Sequence, residues 1–125
     1  MVSAPRTRMS ARRNRRDEAA NLLRTVTPDK AFHFYREIGQ PLGVSSKNLS
    51  EFATVVKGID PSSVKFHVER GDFEGWFSML GDKSLAGQVA TLRGKNASPE
   101  ELRAKLSSTV KLRVEQLQKT AGSRQ

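Results

Sequence analysis

Four side chains that can bind metals or transfer protons lie close together near the middle of the chain: His67, Glu69, Asp72 and Glu74. A metal site or a general base would need them to converge, but on one helix His67 and Glu69 point about 200° apart. Asp72 and Glu74 suit the first turn of a helix, where acids are stabilising. We expect a structural patch, with neither catalysis nor a metal, and a buried or half-buried His67 bonded to a carbonyl or a nearby carboxylate.

Arg70 stands two residues before Asp72 and is compatible with two roles. A guanidinium matches the geometry of carboxylate and phosphate, so it could recognise an anionic ligand. It could equally join two helices through a local acid. We favour the second role.

A cluster of aromatic residues follows, and it also has two interpretations. Phe73, Trp76 and Phe77 could form a stacking platform for nucleobases. Together with Leu80, however, they have the i, i+3, i+4, i+7 spacing of a face that a short helix must bury. We expect them in the core.

The first sixteen residues carry a basic run with no acid and little apolar surface. Such a segment cannot bury enough surface to offset its ordering entropy, so we predict a disordered arm over residues 1–16. On binding RNA or DNA its cations would displace counterions. A solubilising tail and an organelle-targeting peptide are the alternatives, although the weak apolar face disfavours targeting. The cations of the run are Arg6, Arg8, Arg12, Arg13, Arg15 and Arg16.

Charge is unevenly distributed over the 125 residues, whose net charge is +9. Residues 1–27 and 93–125 each carry +5, whereas residues 28–92 carry −1. There is no cysteine, which excludes disulfide scaffolds and thiolate sites. No run approaches the roughly 18 apolar residues of a membrane span. We expect a cytoplasmic protein, with a nucleoid or ribosome as its site of association, no cofactor and no membrane contact.

Helix signals then recur along residues 17–120, which we interpret as one domain followed by a disordered tail at 121–125. Asn48 precedes a capping-box pattern, Asp60 and Ser98 each precede a proline, and Asp82 opens a further helix. Glycines 71, 81 and 94 are predicted helix stops. Gly75 and Gly87 fall inside helices, and we expect them to permit close helix packing.

The final helix has an apolar stripe that we expect to dock on the core, or alternatively to pair with a second copy. Its basic residues Lys105, Lys111 and Arg113 should face water and contribute to nucleic-acid binding. The stripe consists of Leu102, Leu106, Val110, Val114 and Leu117.

These signals predict an all-α protein, a compact bundle of five to seven short helices with a long C-terminal helix. Pro28 to Gly39 has the pattern of one of these helices, although its aromatic residues leave one short strand near 31–36 open. Residues 40–47 are predicted to be a loop.

Three elements in order carry a family resemblance: Leu49-x-Glu51-Phe52, then Phe66-His67-x-x-Arg70-Gly71-Asp72-Phe73-x-x-Trp76, then Leu80-Gly81-Asp82-x-x-Leu85-Ala86. The chain resembles a family of small, mostly archaeal proteins and domains of unknown function. The resemblance spans about Phe32 to Leu117 and leaves the Arg-rich arm outside. The resemblance implies a folded domain, and it does not assign an activity to the chain.

Taken together, the residues predict a non-enzymatic accessory protein that associates with nucleic acid through its basic arm and C-terminal helix. The alternative is a protein–protein interaction module, homodimeric through the apolar stripe, whose tails only aid solubility.

Overall fold

The computed structural model describes residues 14–122, which form six helices and one β-hairpin. Helix α1 covers 14–22, and a 3-10 turn at Pro28–Lys30 leads into the hairpin. The remaining elements are β1 (Phe32–Glu37), β2 (Gln40–Ser46), α2 (Leu49–Gly58), α3 (Pro61–Arg70), α4 (Asp72–Leu80), α5 (Lys83–Ala90) and α6 (Pro99–Ala121). The predicted mostly helical fold with a long last helix is confirmed.

Side-chain caps start four of the helices at the predicted positions. Asn48 accepts from the Glu51 N–H at 2.8 Å, and Asp60 accepts from the Ser62 N–H at 2.9 Å. Asp82 accepts from the Leu85 N–H at 3.0 Å. The strongest predicted start is confirmed as well, because α6 begins with a capping box. There Ser98 and Glu101 each accept a backbone N–H of the other.

Two glycines let consecutive helices follow one another without a loop. Gly71 (φ 76°) ends α3 and Gly81 (φ 104°) ends α4, and both adopt the left-handed conformation that other residues disfavour. Helices α3, α4 and α5 therefore turn sharply within residues 61–90.

The hairpin corrects the prediction for residues 28–47. The expected helix from Pro28 is only a three-residue turn, and the alternative short strand is present as β1. Residues expected to form a loop are strand β2, which pairs antiparallel with β1. Phe32 and Phe34 point into the core while His33 points out, an alternation of period two that a helix cannot provide.

The apolar stripe of α6 lies inside the molecule. Its five residues are at most 6% exposed, and they pack with residues of α2, α3 and α5 in a single core. Docking is thus confirmed. Pairing of two copies through this stripe would require the core to open, because the same five residues are buried within the chain.

Both ends of the predicted domain shift slightly. Residues 14–16, assigned to the basic arm, belong to α1, and Ala121, assigned to the tail, belongs to α6. The rest of the arm and of the tail, residues 1–13 and 123–125, lies outside the described residues. Within 14–122 no helix combines the length and apolar character that crossing a bilayer requires.

Candidate functional site: a groove between the hairpin and helices α3 and α4

An open groove of about 520 Å³ lies where the hairpin meets α3 and α4. Its walls come from Tyr35 of β1, Ile38 of the hairpin turn and Phe66 of α3, with Gly75 of α4 at one side. His67 lies on its floor, because α3 packs directly against β1. We call this depression the hairpin groove.

Both ring nitrogens of His67 are engaged. Nε2 accepts a hydrogen bond from the Tyr35 backbone N–H at 2.9 Å, so this nitrogen carries the lone pair. Nδ1 therefore carries the proton and donates it to Asp72 Oδ2 at 2.8 Å. The imidazole is 3% exposed, and it ties the hairpin to α3 and to the start of α4. The expected buried histidine bonded to a carboxylate is confirmed.

Burial lowers the pKa of His67, since the charged form would lose its hydration. The hydrogen bond and the charge of Asp72 oppose this shift without overcoming it. His67 is accordingly a neutral structural link at pH 7. With its lone pair already accepting a backbone N–H, it has no free nitrogen to offer a substrate.

Arg70 connects α3 with α4, as predicted. Its Nε donates to Asp72 Oδ2 at 3.0 Å, and its guanidinium carbon lies 5.1 Å from the centre of the Phe66 ring. Half of the Arg70 side chain is exposed. Within residues 14–122 its two terminal nitrogens make no hydrogen bond or ion pair, so the anion-binding edge of the guanidinium is open at the groove.

Two aromatic rings stand almost upright on the imidazole floor. The Phe66 ring lies 5.0 Å from the His67 ring at 71°, and the Tyr35 ring lies 6.4 Å away at 75°. Both side chains are half-buried, whereas Ile38 is 78% exposed at the groove mouth. The groove thus combines aromatic surface with one cation.

The aromatic cluster of α4 lies in the core, as expected. Phe73 and Phe77 are fully buried and Trp76 is 7% exposed, with its indole N–H donating to the Lys30 carbonyl at 2.8 Å. Only the edge of Trp76 reaches the hairpin groove. These residues are not a stacking platform.

The remaining acids of the predicted patch do not join His67. Glu69 pairs with Lys65 at 2.7 Å on the exposed face of α3, and Glu74 pairs with Arg93 at 2.8 Å. Across residues 14–122, no three histidine, cysteine or acidic side chains come together as a cation site.

The glycines inside the helices do not serve the predicted close packing. A Cβ added at Gly75 or Gly87 would meet nothing within 4 Å, so no neighbouring helix approaches either position. Gly75 is one of the residues that line the hairpin groove.

The predicted nucleic-acid-binding residues lie on two helices, α1 and α6, where the structure describes them. Arg6, Arg8, Arg12 and Arg13 lie outside the described residues. Arg15 is exposed and Arg16 half-buried on α1, and Lys105 and Lys111 are exposed on α6.

Arg113 differs from the prediction that it faces water. It forms a two-pronged ion pair with Asp82, at 2.8 and 3.0 Å, and Asp82 is 1% exposed. A guanidinium held by a buried carboxylate at the junction of α5 and α6 is structural. We therefore leave Arg113 out of any binding surface.

Arginine and lysine have different roles in the described part of the chain. Every arginine from Arg24 to Arg113 binds an acid or a backbone carbonyl. Of the nine lysines, only Lys65 makes an ion pair within residues 14–122. The eight others are exposed: Lys30, Lys47, Lys57, Lys83, Lys95, Lys105, Lys111 and Lys119.

Sequence reasoning did not identify the groove. Tyr35 and Phe66 are 31 residues apart, and only the packing of β1 on α3 brings them together. The one local sequence signal for the groove is Arg70, two residues before Asp72, which is compatible with binding an anion or with joining two helices.

A comparison with known families matches residues 6–111 to the family of unknown function DUF5752. The match begins at Arg6, the first arginine of the basic run, so the expectation that the arm lies outside the family is wrong. No curated protein and no solved structure matches the chain. Because the match covers most of its length, the chain belongs to the DUF5752 family.

Proposed function

We propose that this protein is a non-enzymatic accessory protein that binds nucleic acid through phosphate contacts. The observation that carries the proposal is the set of exposed lysines that make no ion pair among the described residues. A cation without a protein acid is available to a phosphate, whose counterions it displaces.

Four of these lysines lie on neighbouring helices and are here called the lysine face: Lys57, Lys105, Lys111 and Lys119. Lys57 of α2 and Lys111 of α6 line the same shallow groove of about 200 Å³, together with polar side chains such as Thr54 and Gln118. Lys105 and Lys119 lie on the half of α6 turned away from the core. Glu115 lies in the same groove and Glu101 lies one helical turn from Lys105, so two acids stand beside four lysines and the surface keeps a positive charge.

The Arg-rich run adds to this charge from the other end of the chain. It supplies six arginines before residue 17. Since arginine and lysine contacts to phosphate carry no base information, we expect binding that tolerates many sequences and weakens with salt.

The proposal excludes catalysis because the best acid–base group is already occupied. His67 uses both nitrogens within the fold, and Asp72 already accepts from His67 and from Arg70. The geometry favours holding a ligand over transforming one.

Salt dependence tests the proposal. We expect fluorescence anisotropy with labelled RNA and duplex DNA to show an affinity that falls steeply between about 50 and 200 mM salt. The triple variant Lys57→Gln, Lys105→Gln, Lys111→Gln should lower the slope of log K against log salt by about 3 on duplex DNA. Replacing Arg6, Arg8, Arg12 and Arg13 with glutamine should lower it as well.

The matched control removes three lysines elsewhere, by Lys30→Gln, Lys83→Gln and Lys95→Gln. These side chains are equally exposed and equally without ion pairs among residues 14–122. If both triple variants lose the same affinity, net charge alone determines binding, and the lysine face is not the binding surface. Salt-insensitive binding, or none at about 50 mM salt, would overturn the function.

A further inference from the structure

We propose that the hairpin groove binds one unpaired nucleotide of a single-stranded nucleic acid, with its base against Tyr35 and Phe66 and its phosphate on Arg70. This proposal rests on the proposed function and names the form of nucleic acid that the protein prefers.

The groove has the size and the lining that a nucleotide requires. Its volume of about 520 Å³ lies within the roughly 300–1,000 Å³ of ligand pockets in proteins. Most of its wall is apolar, and the cation lies at one place, on Arg70. A nucleotide has the matching division between a flat aromatic base and a localised negative charge.

The two wall rings reach the groove, unlike the buried aromatic residues of the core, and the Arg70 guanidinium lies over one face of the Phe66 ring. Phe66 and Tyr35 are half-buried and stand nearly perpendicular to His67, which supports them from below. Stacking on an aromatic side chain contributes about 1–3 kcal/mol per base and tolerates any base, because each has a π face.

Arg70 is oriented before a ligand arrives. Its Nε is fixed by Asp72 and its plane lies near the Phe66 ring, while the terminal nitrogens make no bond within the described residues. Two parallel N–H donors match two phosphate oxygens. Asp72 already accepts hydrogen bonds from Arg70 and His67, which reduces its repulsion of the phosphate.

The floor of the groove cannot read the base edge. Both nitrogens of His67 are taken by Asp72 and by the Tyr35 backbone. We therefore expect similar affinity for different bases and a preference for single strands, since the bases of a duplex are already stacked on one another.

Gly75 allows the groove to be filled without disturbing the core. A Cβ added there meets nothing within 4 Å, and an exposed helix gains stability when glycine is replaced by a helix former. Gly75→Leu should block the groove, whereas Gly87→Leu, at an equally open position of α5, is the matched control. Both variants should unfold at or above the temperature of the parent protein.

The binding experiment uses the full chain and an unlabelled single-stranded oligonucleotide of mixed sequence. The only tryptophan, Trp76, lines the groove, so its fluorescence reports on occupancy directly. We expect the oligonucleotide to change this fluorescence in the parent protein and in Gly87→Leu, and to leave it unchanged in Gly75→Leu. The affinity of Gly75→Leu for single strands should fall about tenfold or more, with its affinity for duplex unchanged.

Two further variants separate stacking from charge. Phe66→Leu keeps an apolar side chain and removes the aromatic face, and it should weaken single-strand binding about fivefold or more at any salt concentration. Arg70→Gln should weaken it and also lower the salt slope by about 0.7, which Arg70→Lys should largely restore.

The outcomes distinguish this proposal from the function on which it rests. The groove proposal is wrong if single strands and duplex bind with equal affinity and if Gly75→Leu and Phe66→Leu change neither affinity. That result would leave the lysine face as the binding surface. If the protein binds no nucleic acid, the proposed function is wrong as well. An adenosine or uridine monophosphate titration completes the series, because a free nucleotide that binds alone and equally well would overturn the single-stranded polymer as the ligand.

Discussion

His67 shows how a single buried side chain couples the fold to pH. Its Nε2 can accept a hydrogen bond from the Tyr35 N–H only while the ring is neutral. Protonation would place a second N–H, on Nε2, directly opposite the Tyr35 N–H, and the hydrogen bond would be lost. Burial lowers its folded-state pKa below the ordinary value of 6.5. The unfolded chain then takes up a proton at a higher pH than the folded chain does.

Stability should therefore fall as the solution is acidified. The contribution of neutral His67 is complete above about pH 6.5 and is lost as the pH falls through the lowered folded-state pKa, by at most about 1.4 kcal/mol per pH unit. Urea unfolding at pH 7.5, 6.5, 5.5 and 5.0 measures this loss. The pKa values of the Asp60 and Glu101 carboxyls are lowered by backbone N–H groups, so their protonation reduces the free energy of unfolding only at lower pH.

His33 offers the control for this pH profile, because it is an exposed histidine on the same strand as Tyr35. The His33→Gln variant should keep the acid sensitivity of the parent. A free energy of unfolding that stays constant from pH 7.5 to 5.0 would contradict the role assigned to His67.

At the scale of elements, the junction of α5 with α6 depends on one buried acid. Asp82 caps α5 through the Leu85 N–H and holds Arg113 with both carboxylate oxygens. Asp82→Ala would remove the cap and leave Arg113 without its partner at a partly buried site. We expect the free energy of unfolding to fall by about 3–5 kcal/mol, as measured by denaturant titration.

Asp60→Ala is the comparison for that measurement. Asp60 also caps a helix and pairs with an arginine, but its partner Arg36 is 53% exposed, so the loss of stability should be clearly smaller than for Asp82→Ala. If the two variants lose the same stability, the buried pair contributes nothing beyond its cap.

The helices could be predicted from the sequence because their signals are local. A cap such as Asn48 or Ser98 satisfies donors two or three residues away, and Gly71 and Gly81 end helices by their own conformation. The hairpin was mostly missed because strand β2 is defined by pairing with β1 and has little apolar pattern of its own. The aromatic residues Phe32, Phe34 and Tyr35 were the sequence signal for β1.

Arg113 was also predictable in principle. It follows the core residue Leu106 by seven positions, which returns it to the same side of a helix. Its charge suggested a solvent position, while its register placed it beside the core, where the buried Asp82 neutralises it. The position of Arg113 along the helix, and not its charge, determines where its side chain lies.

At the scale of the whole molecule, the hairpin groove could not be predicted. Its walls come from β1, the hairpin turn, α3 and α4, and no sequence spacing links Tyr35 with Gly75. The core, by contrast, followed from apolar periodicity, since the α4 cluster and the α6 stripe are buried as expected.

The burial of that stripe also bears on assembly. We expect a monomer of 13.9 kDa by light scattering at high protein concentration, because the longest apolar face is used inside the chain. Leu112, 58% exposed on the outer side of α6, is the large apolar residue left there. A dimer that Leu112→Asp dissociates would contradict this expectation and identify a different face of α6 as the contact.

The separate use of arginine and lysine has a consequence for how this protein can diverge. Arg113 holds the buried Asp82, so replacing either residue alone leaves the other without its partner and the two positions constrain each other during evolution. The eight lysines without ion pairs carry no such constraint within the described residues. Substitution or acetylation can therefore alter the surface charge of this domain while its fold remains intact.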